Sequence, residues 1–89
     1  MSDDVLFTLE ELTVVCAVSR EWVRERLDEG LLPAASEGRF TLHAVRRIRR
    51  MRELERDFDA APELAALVAD LLEELEALRA RVGRDGGGA

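Results

Sequence analysis

"SREWVRERLDEGLLP", residues 19–33, is the stretch on which the fold turns. Ser19 is a favoured N-cap, and a helix is expected from Arg20 to Glu29. Trp22, Val23 and Leu27 are its inward positions, and Gly30 ends it as a left-handed C′ residue. Leu31, Leu32 and Pro33 then open an extended segment. The layout is that of a DNA-reading helix followed by a turn and the start of a wing. The charges oppose that reading, because Arg20, Arg24 and Arg26 are outnumbered by Glu21, Glu25, Asp28 and Glu29. Nucleic-acid binders draw much of their affinity from phosphate neutralisation, and a domain built for it normally carries a basic face.

Working outward toward the N-terminus, Leu6 and Phe7 form a short extended lead-in, and "TLEE" at 8–11 is a capping box made by Thr8 and Glu11. A helix is expected from about Leu9 to Ala17, with Leu9, Leu12, Val15 and Cys16 on one face. Glu10 and Glu11 sit at its positive dipole end. Toward the C-terminus, "LLPAASEGRF" at 31–40 contains Pro33 and the turn pair Glu37–Gly38, which predicts a two-stranded wing with its tip near Ser36 to Gly38. Thr41 caps a third helix reaching Arg56 or Phe58, with Leu42, Val45, Ile48, Met51 and Leu54 on its buried side. Arg46, Arg47, Arg49, Arg50 and Arg52 crowd its other faces, and the pairs Arg49–Glu53 and Arg52–Glu55 are expected to neutralise part of them.

"DFDAAP" interrupts the pattern, and Pro62 suits the first turn of a fourth helix. Ala61, Leu64, Val68, Leu71, Leu75, Leu78 and Val82 recur there at alternating steps of three and four, which assigns Ala61, Val68, Leu75 and Val82 to a and the three leucines between them to d. A homodimer through Leu64, Val68, Leu71, Leu75, Leu78 and Val82 is therefore expected. Leu67 and Leu72 widen the stripe, so the first half of the helix is expected to pack on the domain or a third helix as well. Glu74 at g and Arg79 at e suit interhelical pairing. Val at a with Leu at d is common in parallel dimers, but the sequence leaves parallel and antiparallel pairing open. The tail "GRDGGGA" is expected to be flexible.

Eighty-nine residues suffice for one domain with a modest core, to which oligomerisation adds stability. The net charge of −6 divides into −5 over residues 1–40, +2 over 41–60 and −3 over 61–89. Only the middle segment is basic. Cys16 is the single cysteine, which excludes a disulfide framework and fits a reducing cytosol, and its place on an apolar face predicts a buried structural thiol. His43 has no second His or Cys nearby to make a metal site. No apolar run is long enough to span a bilayer, and "MSDDVLF" lacks the features of a signal peptide, so a cytoplasmic protein is expected. Neither a Gly-rich phosphate loop nor a nucleophile–base set is present, and no catalytic residue, metal ligand or cofactor site is assigned.

"FTLEELTVVCAVSREWVRERLDEGLLP", residues 7–33, resembles the N-terminal unit of the MerR superfamily. The DNA regulators of that superfamily carry an Arg-aromatic-Tyr run on the second helix. Aligned on Gly30-Leu31-Leu32-Pro33, Arg24 stands for the arginine, and Glu25 and Arg26 replace the aromatic pair. Over residues 6–82 the chain is similar to one branch, the chaperone-modulator CbpM family, through the Gly-hydrophobic-hydrophobic-Pro turn, Asp59 and Pro62 before the last helix, and "LLEELEALRARV" at 71–82. Where that family usually has Trp-Pro-Gly, this chain has Ala61-Pro62-Glu63.

The resemblance implies a mainly α fold: a MerR-like winged helix-turn-helix over 1–58 with a small two-stranded wing, a coiled-coil dimerisation helix over 59–83, and a tail over 84–89. It further implies a non-catalytic modulator that binds the J-domain of a DnaJ- or CbpA-like co-chaperone and regulates its work with DnaK. J-domains carry a basic second helix, so Glu21, Glu25, Asp28 and Glu29, with Trp22 as an anchor, are the expected contact residues. Trp22 packed in the core between the first helix and the wing is the plainer expectation for that side chain. The alternative is a MerR-type transcriptional regulator holding DNA through Arg20, Arg24, Arg26 and Arg39.

Overall fold

The computed structural model describes residues 5–33 and 36–85. Their order is β1 (Leu6–Thr8), α1 (Leu9–Cys16), α2 (Arg20–Asp28), β2 (Arg39–Thr41), α3 (Leu42–Phe58) and α4 (Pro62–Asp85). The fold is mainly helical, with one two-stranded antiparallel sheet.

Each of the first three helices begins where a hydroxyl satisfies an orphan amide. Thr8 Oγ1 accepts from Glu11 N at 3.1 Å while Glu11 Oε1 accepts from Thr8 N at 2.9 Å, completing the capping box. Ser19 accepts from Trp22 N at 3.0 Å, and Thr41 from Ala44 N at 3.4 Å. α1 ends in Ala17, held left-handed at φ 57°, with Val18 N returning to Thr13 O. After α2, Gly30 takes φ 75° and Leu31 N bonds to Arg26 O, as the glycine's position implies.

The sheet differs from the expected one. Glu37 and Gly38 do form a tight turn, both at positive φ, between the bridged residues Ser36 and Arg39. The ladder that follows, however, joins β2 to the N-terminal lead-in: Leu6 pairs with Thr41, Phe7 with Phe40 and Thr8 with Arg39. This closes the chain's start onto the segment before α3 and buries Phe40, while residues 34–35 of the expected wing lie outside the described residues.

One core joins these pieces. Leu12 and Cys16 of α1, Val23 of α2, Leu32, Phe40 and the α3 face Ala44, Val45, Ile48 and Met51 pack together, and Ala65, Ala66 and Ala69 bring α4 against them. Val15, expected inside, is 39% exposed, because Leu12 and Cys16 already fill the one inward stripe that an eight-residue helix offers. Cys16 is buried, with its thiol 3.8 Å from Val45 O, and burial pushes its pKa up.

α4 contacts the body through its alanines rather than its leucines. Leu72 is half-buried but Leu67 is 53% exposed, so Leu67 does not join the domain contact expected of it. Small side chains let the α3 and α4 backbones approach closely, which is why the alanine face wins. The helix also runs past the expected boundary. Gly83, Arg84 and Asp85 are helical, since extending an established helix outweighs the roughly 1 kcal/mol that glycine costs. Residues 86–89 of the expected tail lie outside the described residues. No described helix is long and apolar enough to cross a membrane.

Candidate protein-interaction surface

α2 sets the charge pattern of the exposed front of the molecule. Val23 is fully buried and Leu27 half-buried, and this fixes the helix's rotation. Glu21, Glu25, Asp28 and Glu29 then fall on the exposed side, together with Arg20 and Arg24. Arg20 is paired with Glu10 of α1, so its charge is partly answered inside the molecule.

Arg26 turns the other way. Its side chain is 9% exposed, and its Nη2 lies 2.9 Å from Glu55 Oε1 of α3, a carboxylate that is itself only 14% exposed. Nη1 reaches Glu25 Oε1 at 3.2 Å, and the guanidinium stands 4.1 Å above the Trp22 ring. Trp22 Nε1 donates to the same Glu55 Oε1 at 3.2 Å. Trp22 is thus half-buried and packed against the core, with Arg26 over its ring and Glu55 of α3 at its N–H. Its indole needs an acceptor, and Glu55 supplies one. Of the four arginines assigned to the DNA alternative, Arg26 is committed to the interior, Arg20 is ion-paired, and Arg24 and Arg39 are exposed.

Arg47 and Arg50 of α3 are spent in a similar manner. Arg47 is 8% exposed at its side chain and pairs with Asp70 at 2.8 Å and Glu73 at 3.1 Å, while Nε donates to Leu31 O at 2.8 Å. It therefore ties α3, α4 and the segment after α2 together. Arg50 pairs with Glu76 at 2.7 Å, and that bond holds the Glu76 carboxyl below its usual range. The expected pairs Arg49–Glu53 and Arg52–Glu55 are not among the ion pairs of the described residues. Glu55 is taken by Arg26, and Arg49 donates to Val15 O at 3.2 Å. An open groove of about 510 Å³ between α3 and α4 is lined by Arg46, Arg47, Arg49, Arg50 and the carboxylates of Glu53, Glu73 and Glu76, so its charge is largely self-neutralised.

A second surface runs along the back of α4. Leu64, Leu71, Leu75, Leu78 and Val82 are 42–66% exposed, and Val68 is half-buried. These dimerisation candidates form one stripe on the side of α4 away from Ala65, Ala66 and Ala69. An apolar stripe this long on a small domain makes a candidate interaction surface.

Glu21, Glu25, Asp28 and Glu29 are exposed, whereas Arg26 and Arg47 are interior, which sequence reasoning missed. The signal was positional: Arg26 follows Val23 by three residues and Trp22 by four, and Arg47 stands between Val45 and Ile48. No known family model matches this sequence, and neither a curated protein nor a solved structure matches it.

Proposed function

We propose that this chain is a non-catalytic, cytoplasmic adaptor of winged helix-turn-helix form. It acts as a homodimer joined through α4 and uses the acidic side of α2 to hold the J-domain of a DnaJ- or CbpA-like co-chaperone, restraining that protein's work with DnaK. The observation that carries the reading is the sorting of charge on α2: Glu21, Glu25, Asp28 and Glu29 are exposed while Arg26 is withdrawn. The resemblance to the CbpM family supplies the partner's identity, and a J-domain's basic second helix is the complement that such a face fits. Complementary charge of this kind governs orientation and association rate more than final affinity. Trp22 is half-buried at the edge of this face and offers it an apolar anchor.

The second reading, a MerR-type DNA regulator, draws support from exposed Arg24 and Arg39. It is the weaker of the two, because α2 would bring four carboxylates toward phosphates with Arg26 unable to help.

Reversing Glu25 and Asp28 to Lys tests the proposal. Association with the J-domain should slow by about tenfold or more at low salt, and the loss should shrink as salt rises. A rate that neither the reversal nor salt alters removes the acidic face from the account.

A further inference from the structure

Charge in the α3–α4 groove is balanced unevenly. Arg47 is answered by Asp70 and Glu73 and withdrawn into the interior, so it forms a wall rather than a free donor. Arg50 is answered by Glu76 alone, at 2.7 Å, and both partners stay open to solvent, with side chains 30% and 59% exposed. Arg46 and Arg49 line the same groove, are exposed, and have no carboxylate at ion-pair distance among the described residues. Arg49 gives one N–H to Val15 O, which leaves most of its guanidinium donors unused.

Arg46, Arg49 and Arg50 follow the i, i+3, i+4 spacing that sets side chains on one helix face. The Glu76 carboxylate lies within their field. Its pKa is lowered, chiefly by the Arg50 hydrogen bond, with further lowering from the charges of Arg50, Arg46 and Arg79. Glu76 thus holds a place that favours an anion, and it does so as a monovalent side chain already open to water.

The shape and lining of the groove narrow the ligand. Its volume of about 510 Å³ lies within the range of small-molecule sites. The lining is arginine, glutamate and His43, with no aliphatic side chain to hold a base or an acyl chain. The ligand is therefore charged rather than apolar, and guanidinium forks match the paired oxygens of phosphate. Glu53 and Glu73 share the lining, so a polyanion laid along the groove meets carboxylates as well as arginines. That favours a compact ion.

We propose that the α3–α4 groove binds a small phosphate-class oxyanion carrying two or more negative charges, which takes the place of Glu76 on Arg50 and engages Arg46 and Arg49. Charge favours exchanging a monovalent carboxylate for a multivalent oxyanion, and water receives the released Glu76. The groove is built by α3 and α4 rather than by the acidic side of α2, so the site does not depend on the adaptor reading.

Calorimetric titration of the full chain with inorganic pyrophosphate, in phosphate-free buffer at fixed ionic strength, tests this. Saturable binding at or below about 1 mM is expected. Arg46→Gln combined with Arg49→Gln, both at exposed positions, should weaken it about tenfold or more while helix content by circular dichroism stays unchanged. Glu76→Gln should tighten it about threefold or more, because the internal competitor is gone. Glu63→Gln removes the same charge from α4 about 20 Å away along the helix, beyond the Debye length at physiological salt, and should leave affinity unchanged. Absence of saturable binding overturns the site, as does an arginine double variant that binds like the unsubstituted chain. An equal gain in Glu63→Gln and Glu76→Gln reduces the effect to net charge and overturns it too. Duplex DNA that displaces pyrophosphate at matched phosphate concentration overturns the choice of a compact ligand.

Discussion

Arg26 and Glu55 hold the ionic centre of the interior, and what happens there depends on leaving neither of them alone. Glu55 Oε1 receives both Trp22 Nε1 and Arg26 Nη2, while Arg26 Nε and Glu55 Oε2 are buried without partners. Both unpartnered atoms belong to one ion pair, so a side-on, two-bond geometry satisfies them without any further group. Removing one member is costly because the other keeps its charge in a place water reaches poorly. Arg26→Ala is therefore expected to cost about 2–4 kcal/mol in urea denaturation. The double change Arg26→Met with Glu55→Leu should recover most of that loss, since an apolar pair needs no desolvation. Equal losses in the single and double variants would show that packing around Trp22, not charge, holds α2 to α3. Arg26 also shows where reading by residue type failed: an arginine on a helix proposed to meet DNA is assumed to face out, yet its spacing from Trp22 and Val23 turned it in.

At the scale of elements, the helix starts were legible because their causes are local. Thr8, Ser19 and Thr41 each cap within three residues, and Pro62 and Gly30 act at their own positions. The sheet was not legible. Strands of three residues carry too short an alternation to read, and the partner of Arg39–Thr41 lies at Leu6–Thr8, far back in the chain. The two faces of α4 were half legible, since large side chains announce the leucine stripe while the alanines that bind the body look like filler. Their smallness is the point. Ala66 is 4% exposed with its carbonyl facing Arg47, so Ala66→Leu should push α4 from α3 and cost about 1–3 kcal/mol. Leu67→Ala, on the exposed flank, should leave the thermal stability of the monomer nearly unchanged. Comparable losses for the two would mean that the leucines carry the α3 contact.

The same α3–α4 contact responds to acid. Hydrogen bonding from Arg50 lowers the Glu76 pKa in the folded chain. A lowered carboxylate pKa stabilises the fold above the unfolded-state value, and that contribution is lost as pH falls through the folded value. Melting temperature should therefore decline as the solution is acidified through and below the usual carboxylate range, and Glu76→Gln should flatten that decline. The effect is small because the pair lies in solvent. An unchanged pH profile in Glu76→Gln would remove Arg50–Glu76 as a contributor.

For the whole molecule, the distribution of charge rather than its total separates a protein-binding domain from a nucleic-acid clamp. Six arginines lie between residues 41 and 60, a density that by itself suits phosphate. Arg47 and Arg50 are turned onto the carboxylates of α4, and Arg26 onto Glu55, so on α2's outer side Glu21, Glu25, Asp28 and Glu29 outnumber Arg24 and the Glu10-paired Arg20. The acidic front was readable as composition, but the inward turn of its competing arginines needed the packing of α2, α3 and α4 to be known. The most direct measurement of the central claim is a pair of titrations on one preparation of the full chain, against a cognate J-domain and against duplex DNA, from low to physiological salt. The account predicts saturable binding to the J-domain at or below tens of micromolar and no salt-dependent binding to DNA. Tight DNA binding whose affinity falls steeply with salt, with none to the J-domain, would contradict it.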